Sequence, residues 1–173
     1  TPIWGGYLRS ATLRTMHVIT EYIIALGYLG IAGAIFAESG LLFGIFLPGD
    51  SLLFTAGLLA SQGYFNIYIL VPLLLASAII GDNVGYFIGR KLGPTLFSRN
   101  DSFFFKRAYL DRTAEFYAKY GRKTIVIARF VPIVRTIAPT LAGASGMEYR
   151  TFLTYNIIGG VLWAGFITSA AYW

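Results

Sequence analysis

The sequence predicts an all-α integral membrane protein with a duplicated plan. Each half reads as a re-entrant helical hairpin plus a transmembrane helix, and an amphipathic helix joins the halves on the cytoplasmic side. Three observations predict it. The 173 residues are 56% hydrophobic, with a mean hydropathy of +0.64, far from a soluble average. Two apolar stretches are broken by proline, glycine and charge into pieces too short to span a bilayer. All the excess positive charge lies in one connection.

The elements follow in chain order. Residues 18–37 give about one bilayer crossing, interrupted only by Glu21. No signal peptide is read here, because a basic start, a short apolar core and a small-residue cleavage site do not occur together. Residues 41–60 are apolar but broken by Leu47-Pro48-Gly49-Asp50, with Pro48 and Gly49 as the hairpin turn. Each half is about ten residues, some 15 Å of helix, or half the hydrocarbon core. A re-entrant hairpin over about 38–60 fits, since broken backbone at membrane depth must be buried in protein or line a wet cavity. Two kinked full spans are the alternative. Residues 67–88 form the second span, polar only at Ser77 and the Asp82-Asn83 pair.

The connection over 90–123 carries nine basic and three acidic residues, while the rest of the chain is neutral, with five of each. The positive-inside rule places it in the cytoplasm. Within it, 103–120 reads as an amphipathic helix. Phe105, Tyr109, Phe116 and Tyr120 share one face, and Arg107, Asp111, Glu115 and Lys119 share the other. The membrane setting favours anionic phospholipid head groups over nucleic acid as its partner. Residues 124–146 are a second broken stretch, with Pro132 and Pro139 as its turns and Arg135 between them. Residues 151–173 form a third span free of charge, closed by Tyr172 and Trp173 as in an aromatic belt. The whole is one membrane domain: a first repeat over 18–92, the basic connection over 93–123 and a second repeat over 124–173. Gly27, Gly30, Gly33, Gly159, Gly160 and Gly165 offer surfaces for close helix contacts, and homo-oligomerisation stays open.

Four ionisable residues stand where water is scarce: Glu38, Asp50, Arg129 and Arg135. A charge near the bilayer centre costs at least about 2.5–3.5 kcal/mol, so it is rarely idle. Glu38 either reaches the far interface or is buried, and then must be paired or protonated. Asp50 suits a helix N-cap, a role compatible with proton or cation binding. Six residues of unbroken helix would turn Arg129 and Arg135 about 240° apart. A break at Pro132 would let both guanidiniums enter one cavity, where two arginines suit a phosphate group. The alternative is that the arginines neutralise Glu38 and Asp50 and lock the hairpins together. Asp82 and Asn83 read as a secondary polar site, or as a local hydrogen-bonding pair.

Three ordered runs stand out. They are Glu38-Ser39-Gly40 with Phe46-Leu47-Pro48-Gly49-Asp50-Ser51, then Gly81-Asp82-Asn83-Val84-Gly85-Tyr86 with Gly89-Arg90. The third is Arg129-Phe130-Val131-Pro132-Ile133-Val134-Arg135-Thr136 with Ala142-Gly143. Together they resemble the signatures of the DedA family. The resemblance covers about residues 18–165. It implies inverted orientation of the two hairpins and a bacterial inner-membrane location. It also implies transport of undecaprenyl phosphate or a related polyprenyl phosphate, or phospholipid scrambling, with proton or sodium coupling. Glu38 and Asp50 would then serve the ion, and Arg129 and Arg135 the phosphate. Family members usually continue past Trp163 to a further apolar helix and a basic tail, so the C-terminal topology is a point of departure.

Catalysis is not expected. Gly143-Ala144-Ser145-Gly146 matches a serine-protease fragment, yet the lone histidine, His17, lies beside the first span. A histidine-nucleophile phosphatase fails for the same reason, and the acids do not cluster for a metal hydrolase. Without cysteine there is no disulfide or thiolate metal site, and no cofactor is expected. The leading expectation is a lipid-phosphate transporter. A non-selective phospholipid scramblase and a membrane scaffold without transport are the alternatives.

Overall fold

The computed structural model describes residues 22, 24–40, 49–96 and 124–173. The expectations for 41–48, with Pro48 and the first hairpin arm, and for the helix at 103–120 lie outside the described residues. Every regular element described is helical.

α1 runs Ile24–Gly40, which puts Glu38 inside the helix near its end. α2 runs Gly49–Ser61 and α3 runs Ile67–Leu96. α3 starts cleanly because Asn66 caps it: the Tyr68 N–H donates to Asn66 Oδ1 at 2.9 Å. The Asn66 N–H in turn donates to Tyr28 Oη at 2.6 Å, tying α1 to this corner. In the second half, the short α4 covers Thr124–Ala128 and α5 covers Pro132–Ala144. α6 covers Tyr149–Gly160 and leads through a π-helical turn, Val161–Gly165, into α7, Phe166–Tyr172. α6, the π turn and α7 form one helical run of 24 residues.

Two of these helices are long and apolar enough to cross a membrane, Ile67–Leu92 and Tyr149–Tyr172. Only 33% and 39% of their most apolar windows are buried, so both turn most of their apolar surface outward, as a lipid solvent permits. Phe54, Ile69, Phe87, Ile157, Leu162 and Phe166 are among the exposed apolar side chains.

α2 and α5 are alike in length and ending. Each has 13 residues. Gly63 (φ 85°) and Gly146 (φ 76°) each follow one of them in the left-handed conformation that terminates a helix. The same hydrogen-bond pair closes both: Gly63 N to Ala60 O with Tyr64 N to Leu59 O, and Gly146 N to Gly143 O with Met147 N to Ala142 O. Each of the two packs on the long helix of the other half, α5 on α3 and α2 on α7.

Glycine makes both contacts close. A Cβ on Gly89 would overlap the Thr140 carbonyl, and one on Gly143 would overlap the Tyr86 carbonyl. One on Gly57 would strike the Thr168 carbonyl. Small residues let backbones touch where lipid gives no hydrophobic drive to associate. One apolar cluster joins Ile35, Leu53, Leu70, Leu74 and Trp163. A second joins Tyr86, Ile125, Ala142 and Phe152, with Tyr86 stacked on Phe152 at 4.6 Å.

Pro139 is not a turn. It lies inside α5, buried, with α3 near it at Gly85. The chain breaks earlier, at residues 129–131, where three successive N–H groups reach back three residues (Arg129 to Val126, Phe130 to Ile127, Val131 to Ala128). Val131 is extended (φ −112°, ψ 107°), as a residue before proline prefers, and Pro132 opens α5 where its missing N–H costs nothing. Gly49 opens α2.

Candidate functional site: two arginine centres on one tryptophan

The break at 129–131 separates the two arginines into different structural settings. Arg135 sits in the first turn of α5 and reaches the N-terminal half. Its Nη1 donates to Asp50 Oδ1 at 2.6 Å, and its Nη2 donates to Glu38 Oε1. One guanidinium therefore bridges the end of α1 and the start of α2, using the fork that arginine alone provides.

Glu38 is 2% exposed, so it does not reach an interface. Its carboxylate lies where a Cβ on Gly49 would be, which explains the glycine of the Pro48-Gly49-Asp50 run. Its Oε2 is buried and has no hydrogen-bond partner among the described residues. Asp50 is in the first turn of α2, a favourable place for an anion by the helix dipole. Its side chain is 46% exposed, which leaves this centre the accessible one.

Arg129 forms the other centre and is 5% exposed. Its Nη2 donates to Asp82 Oδ2 and to Asn156 Oδ1. The stem crosses α6 at Gly159, where any Cβ would collide with Arg129 Cδ. Asp82 is therefore not the local partner of Asn83. The Asn83 Nδ2 instead donates to the Ile79 carbonyl at 2.7 Å, the same carbonyl that accepts from Asn156 Nδ2 at 3.3 Å. A buried carboxylate is stable only beside a compensating charge, and Arg129 is the cation that reaches Asp82.

The two centres meet at Trp163, in the π turn between α6 and α7. The Arg135 guanidinium carbon lies 4.5 Å from the indole centroid and that of Arg129 5.9 Å. The indole N–H donates to Asp50 Oδ1 at 2.7 Å, the oxygen already held by Arg135. Both arginines thus border one surface, as a break in the helix allows, but they hold different carboxylates.

Asn156 and Trp163 were not among the residues singled out from sequence. The signal available was an amide in an uncharged span, seven residues before a tryptophan. Seven residues turn a helix by 700°, nearly two full turns, which puts both side chains on one face. Among the described residues no group of His, Cys, Asp and Glu is placed to hold a metal ion.

Each arginine centre offers two things to a ligand. Guanidinium donors in a setting poor in water hold an oxyanion strongly. The carboxylates already there compete for the same donors, so an anion enters only as a carboxylate leaves.

Comparison with known proteins gives the wider setting. The VTT domain model matches residues 47–172. The chain is 54% identical over 140 residues to protein DedA of Escherichia coli, which covers 80% of this chain and 64% of DedA. It is 48% identical over 174 residues to an uncharacterised membrane protein of Mycobacterium tuberculosis, covering 94% of this chain and 76% of that one. The inner membrane protein YghB of Escherichia coli is 35% identical over 151 residues, covering 87% and 69%. The chain thus spans a little under two thirds of the length of DedA. No solved structure matches it. With the family model covering most of its residues and these relatives covering 80% and 87% of its length, the chain belongs to the DedA family of VTT-domain membrane proteins.

Proposed function

We propose that this protein carries a lipid-linked phosphate, of the undecaprenyl phosphate type, across the bacterial inner membrane. The observation that carries the proposal is Arg135. It is a guanidinium within a lipid-facing helical bundle, held by two carboxylates of which one, Asp50, is half-exposed. A cation kept charged at such a place is costly to maintain and suits an anionic cargo. The phosphate takes Arg135 donors as Asp50 and Glu38 release them, and protonation of those carboxylates, or sodium binding to them, drives the release. Arg129 adds a second set of donors when Asp82 yields. The isoprenoid tail stays in lipid throughout.

Three features support a pair of inverted repeats with re-entrant hairpins. α2 and α5 have equal length, share one terminating motif and pack crosswise on each other's long helix. A broken segment repeated in corresponding places of two halves marks a transport site between them. The excess positive charge of 90–123 supports a cytoplasmic position for that connection and contact with anionic phospholipid. No catalytic step is proposed.

A second reading has its own observation. The Arg129–Asp82–Asn156 centre is sealed and internally balanced, as a purely structural lock would be. A scaffold reading extends that to both centres.

The test is transbilayer movement in proteoliposomes of undecaprenyl phosphate against a neutral polyprenol. Movement of the phosphate alone, lost in folded Arg135→Ala and Glu38→Gln, is the expected result. Equal movement of both lipids identifies a non-selective scramblase. Movement no faster than in empty liposomes, with folded protein, leaves the scaffold. Retained transport in Arg135→Ala removes the phosphate role assigned to that residue.

A further inference from the structure

Trp163 is 3% exposed and is surrounded by apolar neighbours, among them Leu53 and Leu74. A side chain that only filled this space would need no polar contact, and phenylalanine or leucine would serve. Trp163 makes three contacts to charged groups. Both guanidiniums lie against its ring, at 4.5 Å and 5.9 Å from the centroid. Its N–H is committed to Asp50 Oδ1, the one carboxylate of the two centres that is half-exposed. Through those three contacts it reaches Asp82 and Glu38 as well, by way of the arginines that hold them.

Each contact has a distinct physical effect. The negative face of an indole attracts a cation, most of all where water is excluded, so the ring holds a guanidinium without neutralising it. A carboxylate partner lacks that property, because it competes with any incoming anion for the same donors. The indole N–H does the opposite. It tethers Asp50 beside Arg135, stabilising the resting arrangement in which Arg135 is occupied.

We propose that Trp163 is a positioning residue of the phosphate site, keeping the Arg129 and Arg135 guanidiniums beside each other as their carboxylates leave. Its N–H holds Asp50 in the resting state. The proposal rests on the transport reading above and names the part of the site that stays constant while the ion pairs exchange. Asp50 loses two donors at once when it leaves, one from Arg135 and one from the indole. The ring face keeps Arg135 in place through that change.

The test uses a Trp4→Phe/Trp173→Phe background, in which Trp163 is the one remaining tryptophan. In detergent, Asp50→Asn and Arg135→Gln are expected to shift the Trp163 emission, because each removes a charged neighbour of the indole. This arm needs no transport. In proteoliposomes, undecaprenyl phosphate is expected to shift the emission, and the neutral polyprenol to leave it unchanged. Trp163→Leu is expected to slow phosphate movement by about thirtyfold, the scale of one desolvated cation–ring contact. Trp163→Phe, which keeps a ring face, is expected to recover most of that loss.

Emission unmoved by both Asp50→Asn and Arg135→Gln in folded protein overturns the proposal. So does transport in folded Trp163→Leu equal to the parent, with Arg135→Ala inactive. Equal loss in the Phe and Leu variants also overturns it, since a ring face would then be irrelevant. If Arg135→Ala transports normally, the failure belongs to the transport reading, and the emission arm still decides the placement of the indole.

Discussion

Removing Asp82 is expected to be far more damaging than altering Asp50, although both acids pair with an arginine. Asp82 and Arg129 are each 5% exposed, and Asp82→Ala leaves a guanidinium charge with Asn156 Oδ1 and the Trp163 ring as its contacts. Breaking a buried pair from one side costs about 3–5 kcal/mol, and the surviving amide places this case near about 3 kcal/mol. For a chain of this length each kcal/mol moves the melting temperature by about 2–4 °C, so the expected drop is roughly 6–12 °C. Asp50→Asn removes a carboxylate whose side chain is 46% exposed, and Arg135 keeps Glu38. Its cost is about 1 kcal/mol or less, as for other solvent-reached pairs. Thermal unfolding of purified protein in detergent reads both. Arg129→Met/Asp82→Leu, which deletes both charges, is expected to recover most of the loss, because no bare ion remains in the interior. A drop for Asp82→Ala no larger than that for Asp50→Asn would refute the reasoning, since Arg129 would then not be a desolvated cation.

Other outcomes follow from the same geometry. Gly49→Ala should displace the Glu38 carboxylate, lowering transport and melting temperature together, whereas Gly30→Ala meets nothing within 4 Å and should gain about 0.5–1 kcal/mol of helix stability. Asn156→Ala removes a hydrogen bond to a buried cation and should cost about 1.5–3 kcal/mol, read by the same unfolding assay. Arg135→Lys keeps the charge but loses the planar fork that spans Glu38 and Asp50, so transport should fall while the protein stays folded.

The second and third spans and the second break are legible in composition, because lipid selects apolar runs and proline forbids continuous helix after an extended residue. Residues 67–88 fall within one observed helix, and 151–172 within another that Trp173 caps. The position of the break is less legible. Pro132 and Pro139 look equivalent as residues, yet the first opens a helix and the second sits inside it. Which proline marks a break depends on the neighbours that hold the backbone, and here α3 packs against α5 at Pro139. Four charged residues were readable as a site because charge is expensive in lipid. Their pairing was readable for Arg135, which takes Glu38 and Asp50, but not for Arg129, which takes Asp82 across a distance of 47 positions. Asp82 looked local because Asn83 is beside it, but adjacent helix residues point about 100° apart. Neutral members escape a reading based on charge: Asn156 and Trp163 carry no formal charge and became visible only through what they touch. Glycine was partly readable. Gly159 and Gly160 make close contacts, while Gly30, Gly33 and Gly165 meet nothing within 4 Å.

The π turn at Val161–Gly165 has a consequence for the length of the chain. Trp163 and Thr168 are both buried, the first against the arginines and the second against α2 at Gly57. Five residues of ordinary helix would set them about 140° apart, and the wider turn takes up part of that angle. Tightening the turn to ordinary helix at full length would restore that 140°, and either the indole would leave the arginines or Thr168 would leave α2. Loss of one residue together with that tightening would leave the two about 40° apart, close to one face. Single-residue deletions should therefore be better tolerated inside this turn than in the regular helix beside it, where each rotates α7 by about 100° relative to α6. Such a turn acts as a phase setting between the half of the last helix that serves the charged centres and the half that holds the fold together.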